Sequence, residues 1–213
     1  MLNDKDYKNR FDKLFQLLTR THLCFYTWKG LQKKEYQPQF DRDKNFWGAT
    51  MFALEEAWLQ SLANIYEDSS YSEQDKVISV YSLLKNQKDT KRKSMAEAIV
   101  AQNKTILKNV SILRHHQLSH YNANHLLNPK EILKKFPIKY GDVEKLLGIT
   151  EELLHCLHPD SNHSFSFEGF DKESERDSTL IMDRIDYYLK QEKKHYDKMR
   201  DGNKYVHFPP PED

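Results

Sequence analysis

The chain has 213 residues, with 33 Lys and Arg, 32 Asp and Glu, and a formal net charge of +1. Aromatic residues make up 12%, which is too many for a disordered chain. Six glycines are few for a strand-rich fold, because such folds need frequent tight turns. The sequence contains neither G-x-x-x-x-G-K-[ST] nor G-x-G-x-x-G, which argues against Walker ATPases and Rossmann dehydrogenases.

Cysteine usage and hydropathy indicate the compartment. The two cysteines, Cys24 and Cys156, exclude a disulfide framework, and both fall in apolar helical patterns typical of buried positions. Residues 1–6 lack an apolar signal core, and no run of about 18 apolar residues occurs. We therefore expect a soluble, cytoplasmic protein in a reducing compartment, with no membrane partner.

Apolar residues recur at helical spacing along most of the chain. The first predicted helix fades near Lys33, and its buried stripe consists of Phe11, Leu14, Phe15, Leu18, His22 and Phe25. A second helix begins near Asn45, and its predicted buried face consists of Phe46, Ala49, Ala53, Ala57, Trp58, Ser61, Leu62 and Ile65. The alanines and Ser61 are small, so another helix could approach closely there.

The middle of the chain contains a short and a long predicted helix. Ser72 is a candidate N-cap for a short third helix, whose stripe consists of Val77, Val80, Tyr81 and Leu84. A long fourth helix is predicted over about 93–116, because Ile99, Ile106, Val110 and Leu113 recur at helical spacing. Asn128 and Pro129 then begin a short helix that stops at Phe136.

The last third of the chain is predicted to hold two helices. Asp142 is expected to cap a fifth main helix rich in leucine. We predict one all-α, antiparallel bundle of about five main helices plus a C-terminal helix. Its divisions are 1–158 for the bundle, 159–173 for a loop, 174–200 for a C-terminal helix packed on or extending the bundle, and 201–213 for a flexible tail.

The charge is unevenly distributed. Residues 85–139 contain twelve Lys and Arg but only three Asp and Glu, a local net charge of +9, while the rest of the chain sums to −8. Such a basic region is the electrostatic pattern expected for a phosphate-bearing partner. The side chains expected to bind RNA phosphates are Lys91, Arg92, Lys93, Lys104, Lys108, Lys134 and Lys135. The alternative is that these charged side chains only form the solvated surface of a loop and of a short helix.

An arginine and a histidine lie six residues apart within this basic region, at Arg114 and His120. A guanidinium binds phosphate oxygens in a bidentate fork, and an imidazole can take a proton from a ribose 2′-OH or give one to a leaving 5′-oxygen. Together they suffice for RNA cleavage without a metal. The spacing also occurs at Arg200 and His207, which we interpret as a chance match because it lies in a polar run.

This sequence resembles the HEPN superfamily (higher eukaryote and prokaryote nucleotide-binding domains). The motif of that superfamily is Arg, a polar residue, three to five further residues and then His, matched here by Arg114, His115 and His120. The closer resemblance is to its AbiU-like branch, which is linked to abortive phage infection. Three earlier segments carry it: Tyr26-Thr27-Trp28-Lys29-Gly30-Leu31, Phe46-Trp47-Gly48-Ala49 and Leu62-Ala63-Asn64-Ile65-Tyr66-Glu67-Asp68. The likeness covers about residues 10–157.

The resemblance implies a helical bundle that forms a homodimer, with the two Arg/His motifs meeting at the interface. Active members are metal-independent endoribonucleases without a cofactor, often toxins or defence effectors, so RNA and a cognate antitoxin protein are the expected partners. Arg114 carries over as the phosphate-binding residue and His120 as the proton-transfer residue. His115 stands where the family commonly has Asn or Asp, and Asp68 matches an acidic position that supports the site.

Other interpretations remain open. Arg114 and His120 could only cap their helix, where cations are favoured. His116 and His120 have zinc-ligand spacing, but no acidic or Cys third ligand lies close to them in sequence. His155, Cys156, His158 and His163 form a second cluster, in which Cys156 lies beside the apolar stripe and the others run into a loop, so ordinary loop histidines are the default interpretation. The chain could also be a non-catalytic HEPN module that binds nucleotide, RNA or protein, or a plain helical interaction protein.

Overall fold

The computed structural model describes residues 2–67, 77–114 and 140–200, with side chains described at 2–67, 77–110 and 141–197. All regular structure in these ranges is helical, which confirms the predicted fold class. The elements are α1 Asp4–Leu31, a 3₁₀ turn Lys34–Tyr36, α2 Gln37–Arg42, α3 Lys44–Ile65, α4 Val80–Asn86, α5 Thr90–Gln102, α6 Lys104–Arg114, α7 Tyr140–Leu157 and α8 Phe170–Arg200. The predicted cap Ser72, the short helix at 129–136 and the tail at 201–213 lie outside the described residues.

The first helix, α1, is the centre of the bundle. It packs against α3, α8, α7 and α4. The Asn3 side chain caps it by accepting a hydrogen bond from the Asp6 N–H. The predicted stripe is confirmed, except that Phe15 is only half-buried, and Tyr7, Thr21 and Trp28 extend the buried surface. The stripe runs along almost the whole length of α1, so several helices can pack on it in turn.

Two contacts show that α7 runs antiparallel to α1, as predicted. The Tyr7 hydroxyl near the start of α1 donates to the Leu157 carbonyl at the end of α7, at 2.8 Å. Lys29 near the end of α1 forms an ion pair with Glu144 in the first turns of α7. The end of α7 therefore lies beside the beginning of α1.

The last helix, α8, runs parallel to α1, unlike α7. A strap of residues 158–169 leaves α7 beside Phe11, where the Phe11 and Phe165 ring centroids are 6.5 Å apart. It then follows α1 as far as His22, which stacks on Phe167. Because the strap has already run along α1, α8 continues in the same direction, with Ser178 beside Thr27.

The predicted buried face of α3 was only half right. Its C-terminal half buries Trp58, Ser61, Leu62 and Ile65, as expected. In its N-terminal half, Trp47 is buried instead, while Phe46 is 63% exposed and Ala49 and Ala53 are also exposed. The large indoles of Trp47 and Trp58 bury more apolar area than the alanines, and they set which side of the helix faces the core.

The predicted long helix over 93–116 is two helices, α5 and α6, separated at Asn103. The Asn103 backbone leaves helical geometry, and its N–H is shared between the carbonyls of Ile99 and Val100. Its side-chain amide also donates to the Ile99 carbonyl, at 2.9 Å. An asparagine side chain that satisfies a backbone carbonyl locally competes with continuation of the helix.

Three predicted helix starts also shift. The third helix, α4, begins at Val80 with Ser79 as its cap, in a reciprocal capping box with Ser82. Asp142 lies in the first turn of α7, where its charge favours the helix dipole, and does not precede the helix. The last helix begins at Phe170, so the predicted loop ends at Gly169, whose φ of +94° only glycine adopts easily.

Gly30 sets how closely α8 approaches α1. A Cβ at this position would lie 3.0 Å from the Ser178 Oγ and 3.4 Å from the Glu175 Cα. The Ser178 hydroxyl is held by a 2.7 Å hydrogen bond to the Ser174 carbonyl, so it cannot move away freely. Gly30 therefore allows the helix contact that Ser174 and Ser178 line with small side chains.

We predict that Gly30→Ala lowers the free energy of unfolding by about 1–2 kcal/mol, because the added methyl overpacks the contact. The matched control is Gly148→Ala on α7, where an added Cβ would meet nothing within 4 Å. That control should raise stability by up to about 1 kcal/mol, the helix-propensity gain. Urea denaturation of both variants checks this, and equal effects in the two would contradict the close contact.

Candidate functional site

Arg114 is the last residue of α6, and its backbone position is set by the core. Leu107 and Val110 on α6 are buried, and the helix packs against α3, α5 and α7. In the helical register, Arg114 follows Val110 by one turn. The other predicted site residues, His115, His120, Asp68, Lys134 and Lys135, and the side chain of Arg114, lie outside what the structure describes.

The described part of the basic region places several cations on α5 and α6. Lys104 and Lys108 are exposed and one turn apart on α6, and Lys91 is exposed in the first turn of α5. Asp89 caps α5, with its carboxylate accepting hydrogen bonds from the N–H groups of Lys91 and Arg92. Lys104 and Lys108 therefore present charge on the same helix that ends at Arg114.

Arg92 has a structural role that the charge pattern did not reveal. Its guanidinium is half-buried and donates a 2.7 Å hydrogen bond to the His155 carbonyl near the end of α7. Carbonyls in the last turn of a helix lack intrahelical partners, so this bond satisfies one of them. Arg92 thus ties α5 to α7, and its contact with RNA stays a prediction.

The aromatic segments that carry the family resemblance serve the core. The Trp28 and Trp58 ring centroids are 6.0 Å apart, and both indoles are almost fully buried. Tyr66, just after α3, is 1% exposed, and its hydroxyl lies 2.6 Å from that of Thr150 on α7. Because the Thr150 hydroxyl donates to the Leu146 carbonyl, Tyr66 is the donor between them. This bond fixes the backbone two residues before Asp68.

Histidines hold the strap through ring stacking. The ring centroids are 4.0 Å apart for His155 on Phe165, and 4.4 Å apart both for His158 on His163 and for His22 on Phe167. Cys156 of the same sequence cluster is buried, while Cys24 is only half-buried, and both thiols are free. In the part of the chain that the structure describes, no three His, Cys, Asp or Glu side chains are grouped to hold a metal ion.

Burial changes the acid–base properties of these groups. It lowers the pKa of His22 to about 4, with a smaller opposing effect of the Asp171 carboxylate. Neither nitrogen of this ring has a hydrogen-bond partner among the described residues. Burial also lowers the pKa of His158 and raises that of the Cys156 thiol. The His22 imidazole is therefore neutral at neutral pH where it stacks on Phe167 of the strap.

A family profile described as HEPN_AbiU2 (AbiU2) matches residues 4–180. The chain belongs to the HEPN AbiU2 family. The match includes α1 to α7, the strap and the first residues of α8, so the family region extends past the boundary near residue 157 that the sequence motifs indicated. No curated protein and no solved structure matches the chain. Of the helices described, none has the length and apolar character needed to cross a membrane.

Membership supports a HEPN domain in an abortive-infection context. The profile covers Arg114, His115 and His120, and it also covers the basic residues of α5 and α6. The aromatic core and the strap are part of the same matched region. The matched region therefore includes the described helices up to α7 but only the first turns of α8.

We predict that lowering the pH from about 6.5 to 4 destabilises the fold. In this range the His22 imidazole of the unfolded chain takes up a proton, whereas the buried imidazole of the folded chain stays neutral. This contribution is fully present above pH 6.5 and is lost as the pH falls towards 4. His22→Phe keeps the ring stack but cannot titrate, so its stability should depend less on pH in this window. Urea midpoints at pH 7, 5.5 and 4.5 measure the difference, and parallel profiles for both proteins would contradict it.

Proposed function

We propose that this HEPN domain is a metal-independent endoribonuclease and acts as a toxin or phage-defence effector. One observation carries the proposal: Arg114 ends an amphipathic helix anchored in the core, and His120 follows six residues later within a chain of the HEPN AbiU2 family. The exposed Lys104 and Lys108 on the same helix support binding of a polyanion. A cognate antitoxin protein would be a further partner.

The chemistry requires only the two side chains and the RNA. His120 would take the proton of a ribose 2′-OH, whose oxygen attacks the adjacent phosphorus. The bond from phosphorus to the 5′-oxygen breaks, and that oxygen leaves with a proton supplied by an imidazolium. Arg114 would bind the non-bridging oxygens, where negative charge increases in the transition state. The products are a 2′,3′-cyclic phosphate and a 5′-hydroxyl end.

We also propose that two copies assemble through the exposed half of α3, here called the α3 face, which consists of Phe46, Gly48, Ala49, Phe52 and Ala53. Phe46 and Phe52 are 63% and 65% exposed. Between them lie small residues, and a Cβ at Gly48 would meet nothing within 4 Å. The α3 face thus has two aromatic side chains around a centre of small side chains, where the same helix of a second copy can pack closely about a two-fold axis. The helix that ends at Arg114, α6, packs on this same α3.

The second candidate function is a non-catalytic HEPN module, in which Arg114 only binds an anion. The favouring observation is His115, which stands where an amide or a carboxylate is usual in the family. Such a module would bind RNA without cleaving it. The two functions therefore differ in their requirement for His120, because cleavage needs this side chain and binding alone does not.

We predict that His120→Ala lowers RNA cleavage about 10²–10⁴-fold, the usual effect of removing a positioned acid–base group. Arg114→Lys should also abolish most activity, because an ammonium keeps the charge but loses the fork. His207→Ala, in the chance match, is the control and should cleave like the wild type. Cleavage and thermal melting are measured together for all three, so that loss of folding is not mistaken for loss of chemistry.

The same assay tests the metal-independent mechanism. Cleavage should survive EDTA and leave 2′,3′-cyclic phosphate ends. Full activity in His120→Ala would remove this residue from catalysis and leave only the binding module. Strict dependence on a divalent metal would overturn the mechanism.

We predict a homodimer at micromolar concentration that Phe52→Glu converts to a monomer, because two carboxylates would be buried at the two-fold contact. Folding should be unaffected, since Phe52 is exposed in the single chain. Met95→Glu, at a 51% exposed position on α5, is the matched control. Sedimentation velocity reports the assembly, and a monomeric wild type or a dimeric Phe52→Glu variant would rule out the α3 face.

A further inference from the structure

The outward side of α8 carries an exposed stripe that the bundle leaves uncovered. Its members are spaced by three, four or seven residues, and we call them the α8 stripe: Leu180, Ile181, Arg184, Tyr187, Tyr188 and Lys194. Leu180 and Ile181 are 48% and 53% exposed, and Tyr187 and Tyr188 are each 44% exposed. The opposite side of α8 faces the bundle through Met182, which is 1% exposed. The stripe is therefore a surface that folding does not require.

Among the described residues, the cations of this stripe have no acidic partner, whereas other charges of α8 do. Asp186 pairs with Lys190 at 2.5 Å, and Glu192 pairs with Arg42 at 3.0 Å. In the described part of the chain, no carboxylate pairs with Arg184 or Lys194. Of the other carboxylates between residues 180 and 197, Asp183 and Asp197 border the stripe, four residues before Tyr187 and three after Lys194.

The stripe has defined ends. On its N-terminal side the same register holds Glu173 and Asp177, which would repel an anion. On its C-terminal side, His195 is buried. The basic part between Arg184 and Lys194 spans ten residues, or about 15 Å of helix, with the two tyrosines inside it.

We propose that the α8 stripe binds single-stranded RNA, with Tyr187 and Tyr188 stacking on bases and with Arg184 and Lys194 on phosphates. Aromatic rings flanked by unpaired cations are how proteins hold single strands without reading their sequence. A protein partner would have to supply carboxylates against both cations, and it is an outcome of the test below. The proposal rests on the proposed function, because it gives the ribonuclease a second contact with its substrate.

The family match ends at residue 180, so Ile181 and the basic part of the stripe lie beyond it. The predicted RNA-binding residues were all in the region at 85–139, and α8 was not among them. The stripe would thus position a strand outside the catalytic motif and favour longer RNA over short RNA.

The experiment measures RNA binding separately from cleavage. Fluorescence anisotropy with a labelled, unstructured 20-nucleotide RNA is recorded for the full chain carrying His120→Ala, with and without Tyr187→Ser/Tyr188→Ser. Binding should weaken on the order of tenfold or more, because base stacking on two rings is lost. The control is Tyr196→Ser, at a 60% exposed tyrosine of the same helix that lies off the stripe, which should bind as before. Melting temperatures confirm that each variant is folded.

A salt titration tests the cations. Arg184→Gln/Lys194→Gln should reduce the slope of log K against log salt by about 1.4, the value for two phosphate contacts on a single strand. Lys190→Gln/Lys193→Gln removes the same charge from other positions of α8 and should change the slope less. Equal changes in both pairs would overturn the proposal.

A failure of the proposed function and a failure of the α8 stripe give different results in these experiments. If the parent chain binds no RNA at all, the proposed function fails together with this inference. If it binds RNA and the tyrosine variant binds equally well, only the α8 stripe is refuted. If the tyrosine variant keeps RNA affinity but changes the sedimentation of the protein, the stripe is a contact between copies, and the RNA assignment is wrong.

Discussion

The structure depends on the burial of one long stripe of α1. Leu14, Leu18 and Phe25 on this helix are fully buried, and each contributes about 1.5–3 kcal/mol when removed from water. Since α3, α7 and α8 all pack on α1, several helices share its burial. The order and direction of the other helices follow from the way they cover it.

The strap covers part of the buried stripe of α1. His22 on Phe167 and His155 on Phe165 attach it to α1 and α7, and a third stack, His158 on His163, lies within it; the planes of each pair are within 12° of parallel. Rings bury a large area with few rotatable bonds, which suits a segment without helical hydrogen bonds of its own. Burial keeps His22 neutral in its stack, so the acid–base chemistry of this residue belongs to the stability of the fold.

The candidate site has a different relation to the core. Leu107 and Val110 hold α6 in place, and the helix ends at Arg114. The break at Asn103 ends α5 before α6 begins, so Lys104 and Lys108 stand on the same helix as the arginine. Arg92 is instead bonded to the end of α7. One basic stretch of sequence therefore serves both packing and, in our proposal, substrate binding.

The sequence by itself determined the all-helical class, the stripe of α1 and the family, because helical periodicity and short motifs are local properties. Local reasoning could not show that Trp47 would displace Phe46 and the alanines from the core, since that depends on which neighbour offers the deeper pocket. Nor could it place Arg92 on the His155 carbonyl, a contact between residues 63 positions apart. Only the tertiary structure decided that α8 runs parallel to α1, because the path of the strap along α1 sets the direction in which the next helix leaves.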